Sequence, residues 1–223
     1  MQTGILGSAS AMQAWQQFAG ENTSYTPVQD SRDAKNFDLF IDLNFDTNPE
    51  RISHYAGNIR TVFLLNTVCC TAESAMVAAG LKWSGETIFG INAVPTFLQR
   101  SLLEISNPFG LDTKGAESIA HSLGYAACEW VQSRVGMVTP RIVCMIINEA
   151  FYTLQEGTAG AGDIDAAMRL GTNYPMGPFE WCDKMGLDYV YTILDAVYTD
   201  TREERYKICP ALKQAWVRSQ ISG

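Results

Sequence analysis

Phe37-Asp38-Leu39-Phe40-Ile41-Asp42-Leu43-Asn44 and Thr61-Val62-Phe63-Leu64-Leu65-Asn66-Thr67-Val68 decide the fold class. Each is a strand-length run rich in β-branched, aromatic and aliphatic residues. Such runs suit a parallel sheet covered on both faces. Thr3–Gly7 and Tyr25–Gln29 read as shorter strands. Between them Ser10–Ala19 reads as a helix, with Met12, Trp15 and Phe18 spaced three apart. Thr87–Ile91 and Leu102–Ile105 complete the strand set. Strands separated by helix-length segments predict βαβ crossovers.

Beyond Asp112 the period changes. Lys114–Gln132 carries Ile119, Leu123, Ala126, Ala127 and Trp130 at helical spacing. Pro140–Gln155 is a second helix, with Pro140 in its first turn. Asp163–Leu170 is a third, entered through Gly160 and Gly162 and stopped at Gly171. Phe179–Tyr198 and Pro210–Gln220 follow. Asn107-Pro108-Phe109-Gly110-Leu111 supplies Pro/Gly punctuation at the change of period. The expectation is α/β followed by all-α, divided into residues 1–108 and 109–223.

Composition limits the function. The chain has 223 residues, 47% hydrophobic and 11% aromatic, enough for a real core. Net charge is −8, and neither half is basic, so nucleic acid is not an expected partner. Met1–Phe18 has neither a basic leader nor an unbroken apolar run, and no apolar stretch reaches the roughly 20 residues of a membrane span. A cytoplasmic protein is expected. The cysteines Cys69, Cys70, Cys128, Cys144, Cys182 and Cys209 form no Cys-x-x-Cys, so no metal is expected and the thiols read as reduced core residues.

An α/β half followed by a helical half directs attention to the first βα turn, Ile5-Leu6-Gly7-Ser8-Ala9-Ser10-Ala11-Met12. A dinucleotide fingerprint uses three glycines: for the turn, for close approach of the pyrophosphate, and for helix–strand packing. Gly7 supplies the first; Ala9 and Ala11 or Met12 stand at the others. Asp30, 23 residues after Gly7, is the acid a ribose would need. A plain βαβ start without ligand fits the same residues.

The helical half carries the sharpest signal. Asn148-Glu149-Ala150, Glu156-Gly157, Asp163-Ile164-Asp165-Ala166-Ala167-Met168, Leu170-Gly171, Tyr174-Pro175-Met176-Gly177-Pro178-Phe179-Glu180 and Gly186-Leu187-Asp188 follow in order. Across about Gly136 to Leu212 this resembles the C-terminal domain of the 3-hydroxyacyl-CoA dehydrogenase family. Structural roles are open to the same residues: Asp163 as a cap, Gly171 as a stop, Pro178 as an opener. The resemblance implies a shortened Rossmann-like domain followed by a helical domain like the C-terminal domain of 6-phosphogluconate dehydrogenase. It further implies NAD-linked oxidation of a 3-hydroxyacyl-CoA, NAD as cofactor, a homodimer and an acyl-CoA-type ligand.

The N-terminal half follows the family more loosely. Phe37–Asn44 resembles the strand leading to its Val-Ile-Glu-Ala-Val segment, and Asn66-Thr67 resembles its Asn-Thr-Ser-Ser turn. Gly90–Ile105 matches without a gap the stretch bearing the catalytic His and ending in a Glu. On that match Glu104 is the acid that orients the catalytic group, Asn92 occupies the His position, and Gly7, Ala9 and Asp30 are the cofactor positions. Val68 replaces a substrate-contacting Ser, and Pro140 replaces a site Asn. Only six residues separate Asp30 from Phe37, where the family inserts a CoA-gripping hairpin, and Ser222-Gly223 falls short of its Gly-x-Gly-Phe-Tyr terminus. An Asn amide cannot take the proton a hydroxyl must lose, and losing a general base costs about 10²–10⁴-fold. His54 and His121 read as surface or packing residues. Three functions follow: a catalytically impaired relative, a working NAD-dependent dehydrogenase with another proton acceptor, or a different reaction using Glu104.

Overall fold

The computed structural model describes residues 1–19 and 24–222. Two compact units emerge, Met1–Met137 and Val138–Gly223. The first contains β1 (Thr3–Leu6), α1 (Ala9–Ala19), β2 (Thr26–Val28), β3 (Leu39–Asp42), α2 (Ile52–Tyr55), β4 (Val62–Asn66) and α3 (Ala72–Ala78). It continues through β5 (Thr87–Ile91), α4 (Pro95–Leu98), β6 (Leu102–Ser106), α5 (Thr113–Ser122) and β7 (Ala127–Val131). Strand order is β2-β1-β3-β4-β5-β6-β7.

The predicted strands are all present, and side chains alternate across the sheet as the two-residue period requires. Ile5, Leu39, Ile41, Leu64, Phe89 and Ile105 enter one core with Ala11 and Trp15 of α1 and Ala116 and Ala120 of α5. Leu6, Phe40, Phe63, Leu65 and Ile88 enter the other, with Ile52 and Tyr55 of α2 and Ala72 and Met76 of α3. Covering both faces explains why β3 and β4 read as unbroken apolar runs. The sheet is not wholly parallel: β6 runs antiparallel to β5 through Gly90–Ser106 and Ile91–Ile105, and parallel pairing resumes between β6 and β7.

Lys114–Gln132 is not one helix. Gly124 adopts φ +99° just after α5 and breaks it; the chain then extends as β7 against β6. Cys128 and Trp130 pack on the core, while Ala127 and Glu129 are exposed. The apolar positions that fit a helix here also fit a strand edge with period two. Because β7 completes the sheet, the α/β unit extends to Met137 instead of stopping at the Asn107–Leu111 turn.

The second unit comprises α6 (Thr139–Gln155), α7 (Ala161–Thr172), α8 (Pro178–Met185), α9 (Leu187–Thr201) and α10 (Pro210–Ser222). Phe179–Tyr198 is therefore split, at Gly186 with φ +86°. Gly171 does not stop α7, which runs on to Thr172 and ends where Asn173 turns left-handed at φ 56°. Gly160, not Asp163, is the α7 N-cap, and Pro178 opens α8 as expected. Among the described residues no helix is long and apolar enough to cross a membrane.

Candidate functional site

In open α/β sheets ligands bind at the carboxyl ends of parallel strands, where the strand order reverses. Here that point lies between β1 and β3, since β1 pairs with β2 on one side and β3 on the other. The residues leaving the strands there are Gly7 and Ser8, Leu43 and Asn44, Asn66 and Thr67, and Asn92.

Three carboxamides tie these ends together. Asn92 directly follows β5. Its backbone N–H donates to the Glu104 carbonyl at 3.0 Å, and its Nδ2 donates to Glu104 Oε2 at 3.3 Å. Asn92 Oδ1 accepts from the Val94 N–H at 3.2 Å. Both residues are buried, Asn92 at 4% and Glu104 at 6% exposure. The expected juxtaposition of Asn92 and Glu104 is thus present, built by the antiparallel β5–β6 pair. Asn66 ends β4; its Nδ2 donates to the Leu43 carbonyl at 3.0 Å and its Oδ1 accepts from the Ala93 N–H at 3.2 Å. Asn44 Oδ1 accepts from the Ser8 N–H in the first βα turn.

Close packing fixes this region. A Cβ on Gly90 would lie 2.2 Å from Thr67 Oγ1 and 2.4 Å from Ser106 Oγ. Val68, which the sequence resemblance sets against a substrate-contacting Ser, is fully buried and offers no hydroxyl.

The cofactor positions do not converge on a ligand-ready site. Gly7 lies under Leu43: a Cβ there would meet Leu43 Cδ1 at 3.1 Å. Ala9 opens α1 and is exposed. Asp30 caps the 3₁₀ turn Ser31–Asn36, accepting from the Arg32 backbone N–H and Nε, each at 2.9 Å, and from Arg32 Nη2. Hydrogen bonding to the Arg32 guanidinium holds the Asp30 carboxyl well below the usual carboxylate range. An NAD fingerprint needs free turn amides and a free acid. Here Asn44 takes the Ser8 amide and Arg32 takes the acid, so these residues do not fit the dinucleotide in this arrangement. Among the described residues no group of three or more His, Cys, Asp or Glu is placed to hold a metal.

The two histidines have local partners. His54 lies on α2, with Nδ1 2.7 Å from Ser31 Oγ. His121 lies in the last turn of α5, and its Nδ1 donates to the Tyr125 carbonyl at 2.9 Å.

A buried network at the end of β3 was not singled out from sequence. Asp42 is fully buried, within 3.1 Å of Arg51 Nη1; it accepts from Tyr55 Oη at 2.7 Å and from the Asn44 N–H at 3.0 Å. Burial pushes the Asp42 carboxyl up, against the pull of Tyr55 and Arg51. Its sequence signal was an acid and two amides closing apolar runs. Polar residues in that place sit at strand ends, where parallel sheets gather functional groups.

In the helical unit the resemblance residues close helix ends. Asp165 accepts from the Phe179 N–H at 2.8 Å and the Glu180 N–H at 3.2 Å, capping α8. Glu180 Oε2 accepts from the Gly177 N–H at 2.9 Å, and Arg169 pairs with Glu180. Asn148 Nδ2 donates to the Lys207 carbonyl at 3.0 Å, and its Oδ1 accepts from the Cys209 N–H at 2.8 Å.

Residues 136–221 match the model for the 3-hydroxyacyl-CoA dehydrogenase C-terminal domain. The 3-hydroxyadipyl-CoA dehydrogenase of Escherichia coli K12 is 47% identical over 79 residues, 35% of this chain and 17% of that protein. The probable 3-hydroxybutyryl-CoA dehydrogenase of Bacillus subtilis 168 is 36% identical over 97 residues, 44% of this chain and 33% of that protein. The chain therefore matches a third or less of each curated relative's length. FadB2 of M. tuberculosis superposes with a TM-score of 0.77 at 19% identity, covering 98% of this chain and 94% of that one. The (S)-3-hydroxybutyryl-CoA dehydrogenase of Ralstonia eutropha gives 0.71 at 20% identity over the same shares. At those identities the likeness is one of fold. The motifs of the helical unit, the matched domain and these relatives agree: residues 136–221 are similar to the C-terminal domain of 3-hydroxyacyl-CoA dehydrogenases, and the whole chain shares their fold.

Proposed function

We propose that this chain is a catalytically impaired 3-hydroxyacyl-CoA dehydrogenase relative, built on the family scaffold but lacking its proton acceptor. One observation supports the proposal: Asn92, which the sequence resemblance sets at the position of the family's base, is a buried carboxamide hydrogen-bonded to Glu104 and Val94. Oxidising a 3-hydroxyl moves a hydride from carbon and a proton from oxygen. A neutral carboxamide donates to an oxygen but does not take its proton. The cost of a missing base is about 10²–10⁴-fold in rate. The finer properties attached to the family belong to the same proposal, namely an acyl-CoA-type ligand, a homodimer and a cytoplasmic setting, whereas NAD linkage is the part of the family reaction that this chain has weakened.

The test is turnover of 3-hydroxybutyryl-CoA with NAD⁺, and of acetoacetyl-CoA with NADH, by the unmodified chain. Neither reaction should rise above background; robust turnover in either direction would overturn the proposal. Glu104 supports a second reading. It is the one carboxylate against Asn92 at 3.3 Å, and could serve as the acid or base of a different reaction in the same strand-end site. Any turnover found must then be abolished by Glu104→Gln.

The homodimer rests on α6. Ile142, the first residue of the Ile-Val-Cys-Met-Ile-Ile run, is 54% exposed, an apolar side chain left for a partner to cover. Light scattering at micromolar concentration should give about twice 24.6 kDa. A concentration-independent monomer would exclude the dimer.

A further inference from the structure

We propose that Leu43 and Asn44 seal the β1–β3 crevice from within, the Asn44 carboxamide taking the Ser8 N–H that a dinucleotide phosphate would otherwise engage. The proposal is separate from the Asn92 argument. A missing base slows turnover and leaves binding intact, whereas a sealed crevice removes binding.

Four observations build the seal. The β1–β3 ladder does not stop where the strands end: the Leu43 N–H donates to the Leu6 carbonyl at 2.8 Å, so the two chains stay zipped one residue further. Leu43 itself is 1% exposed, packed in the core with Ile5, Ala11 and Trp15 and lying over Gly7. The turn glycine of the fingerprint is thus packed against a leucine, which fixes the path of the first βα turn. Asn44 Oδ1 then satisfies the Ser8 amide, and Ser8 Oγ accepts from the Ala11 N–H at 3.3 Å, so the start of α1 is capped by its own chain. A helix start attracts phosphate because its first N–H groups lack partners. Two of those groups have partners here.

The loop that carries the seal is anchored. Leu43 is gripped at its carbonyl by Asn66 Nδ2 as well as at its N–H by Leu6. The Asn44 N–H is held by Asp42, whose buried carboxylate is held in turn by Arg51 and Tyr55. The Asn44 carbonyl accepts from Asn48 Nδ2 at 2.8 Å. A ligand would have to displace both side chains while these bonds kept pulling them back. In this arrangement the turn excludes dinucleotides such as NAD(H) and NADP(H).

The experiment measures NADH binding by energy transfer from tryptophan emission, using the full chain. The unmodified protein should show no saturable binding up to millimolar NADH. Leu43→Ala/Asn44→Ala, checked for folding by circular dichroism, should bind at least about tenfold more tightly. Micromolar binding by the unmodified chain would overturn the proposal, and so would a folded double variant that gains nothing. Hydrogen exchange on the unmodified chain decides the matter even if that variant does not fold. The Ser8 amide should be protected, although first-turn amides ordinarily lack partners. A Ser8 amide exchanging at the unprotected rate would overturn the seal. Retained protection in Asn44→Ala, where about a tenfold loss is expected, would overturn the part given to Asn44.

Discussion

The two units use polar side chains in the same way and to opposite functional effect. In the helical unit Asp165, Glu180 and Asn148 spend their oxygens on backbone N–H groups at helix ends, and these residues carry the family resemblance. In the α/β unit Asn44, Asn66 and Asn92 spend theirs on backbone N–H groups at strand ends, where a dehydrogenase keeps its working groups. The sheet tolerates this well. Its strands need apolar faces, and those faces remain: both cores are continuous and the parallel registers from β1 to β5 are regular. A scaffold of this kind therefore stays intact whichever polar side chains its strand ends carry. Losing a helix cap, by contrast, costs about 0.5–2 kcal/mol of stability.

The largest expected effect tests the α/β half of that contrast. Asn92→His puts an imidazole beside Glu104, a base with a pKa suited to the reaction. If only the base were missing, turnover would rise by about 10²–10⁴-fold. The expected outcome is no measurable turnover, because the βα turn is closed to the cofactor. A robust NADH-dependent reduction of acetoacetyl-CoA by this single variant would show that the strand-end residues still serve a catalytic site.

Much of this contrast was legible in the sequence. The strands, the helical character of the C-terminal half and the Asn92–Glu104 pair could all be read, because long apolar runs and an ungapped motif fix them. What escaped has a common cause. β7 was hidden because Trp130 fits the helical spacing from Leu123 and Ala126 and equally alternates with Cys128 along a strand, and only pairing with β6 decides between them. Gly171 was misread as a stop because a glycine near a helix end is usually one; Asn173 took the left-handed turn instead. The Asn44–Ser8 contact joins residues 36 apart in sequence, and no local pattern announces a bond of that range.

A smaller effect tests the helical half. A Cβ on Gly177 would lie 2.3 Å from Asp165 Cγ, although its φ of −73° is open to any residue. Gly177→Ala must push Asp165 off the Phe179 and Glu180 amides, losing a cap and adding a clash. The combined loss is about 2–4 kcal/mol. Gly171 has nothing within 4 Å of its added Cβ and lies inside α7, so Gly171→Ala should stabilise by about 0.5–1 kcal/mol. Denaturant midpoints moving in opposite directions for the two alanines would confirm that only one of these motif glycines is demanded by packing. Equal shifts would refute the capping account.

A last effect, which vanishes in acid, compares the two units through pH. Glu86 is fully buried between β5 and its preceding loop. Its Oε1 accepts from the Gly57 N–H at 2.5 Å and Ser84 Oγ at 2.8 Å, and its Oε2 from the Ser84 N–H at 2.7 Å. Burial pushes its pKa up, but the Gly57 and Ser84 hydrogen bonds outweigh burial and leave it below the ordinary 4.5. A carboxyl with a lowered folded value binds its proton less readily folded than unfolded. Its contribution is therefore complete above 4.5 and is lost as pH falls through the folded value. Glu86→Gln replaces one acceptor with an N–H₂ facing backbone donors, so it should cost about 1–3 kcal/mol at pH 7. That cost should shrink steadily below pH 4.5, as the unmodified chain loses the same ionised contacts. Glu180 is also lowered, by the Gly177 N–H and then by Arg169, yet its side chain is half-exposed, so water and salt screen its pairing. Glu180→Gln should accordingly leave the acid limb of the melting curve almost unchanged. If the two variants flatten that limb equally, the buried loop around Glu86 is not the acid-sensitive element, and the α/β unit has no special share in acid unfolding.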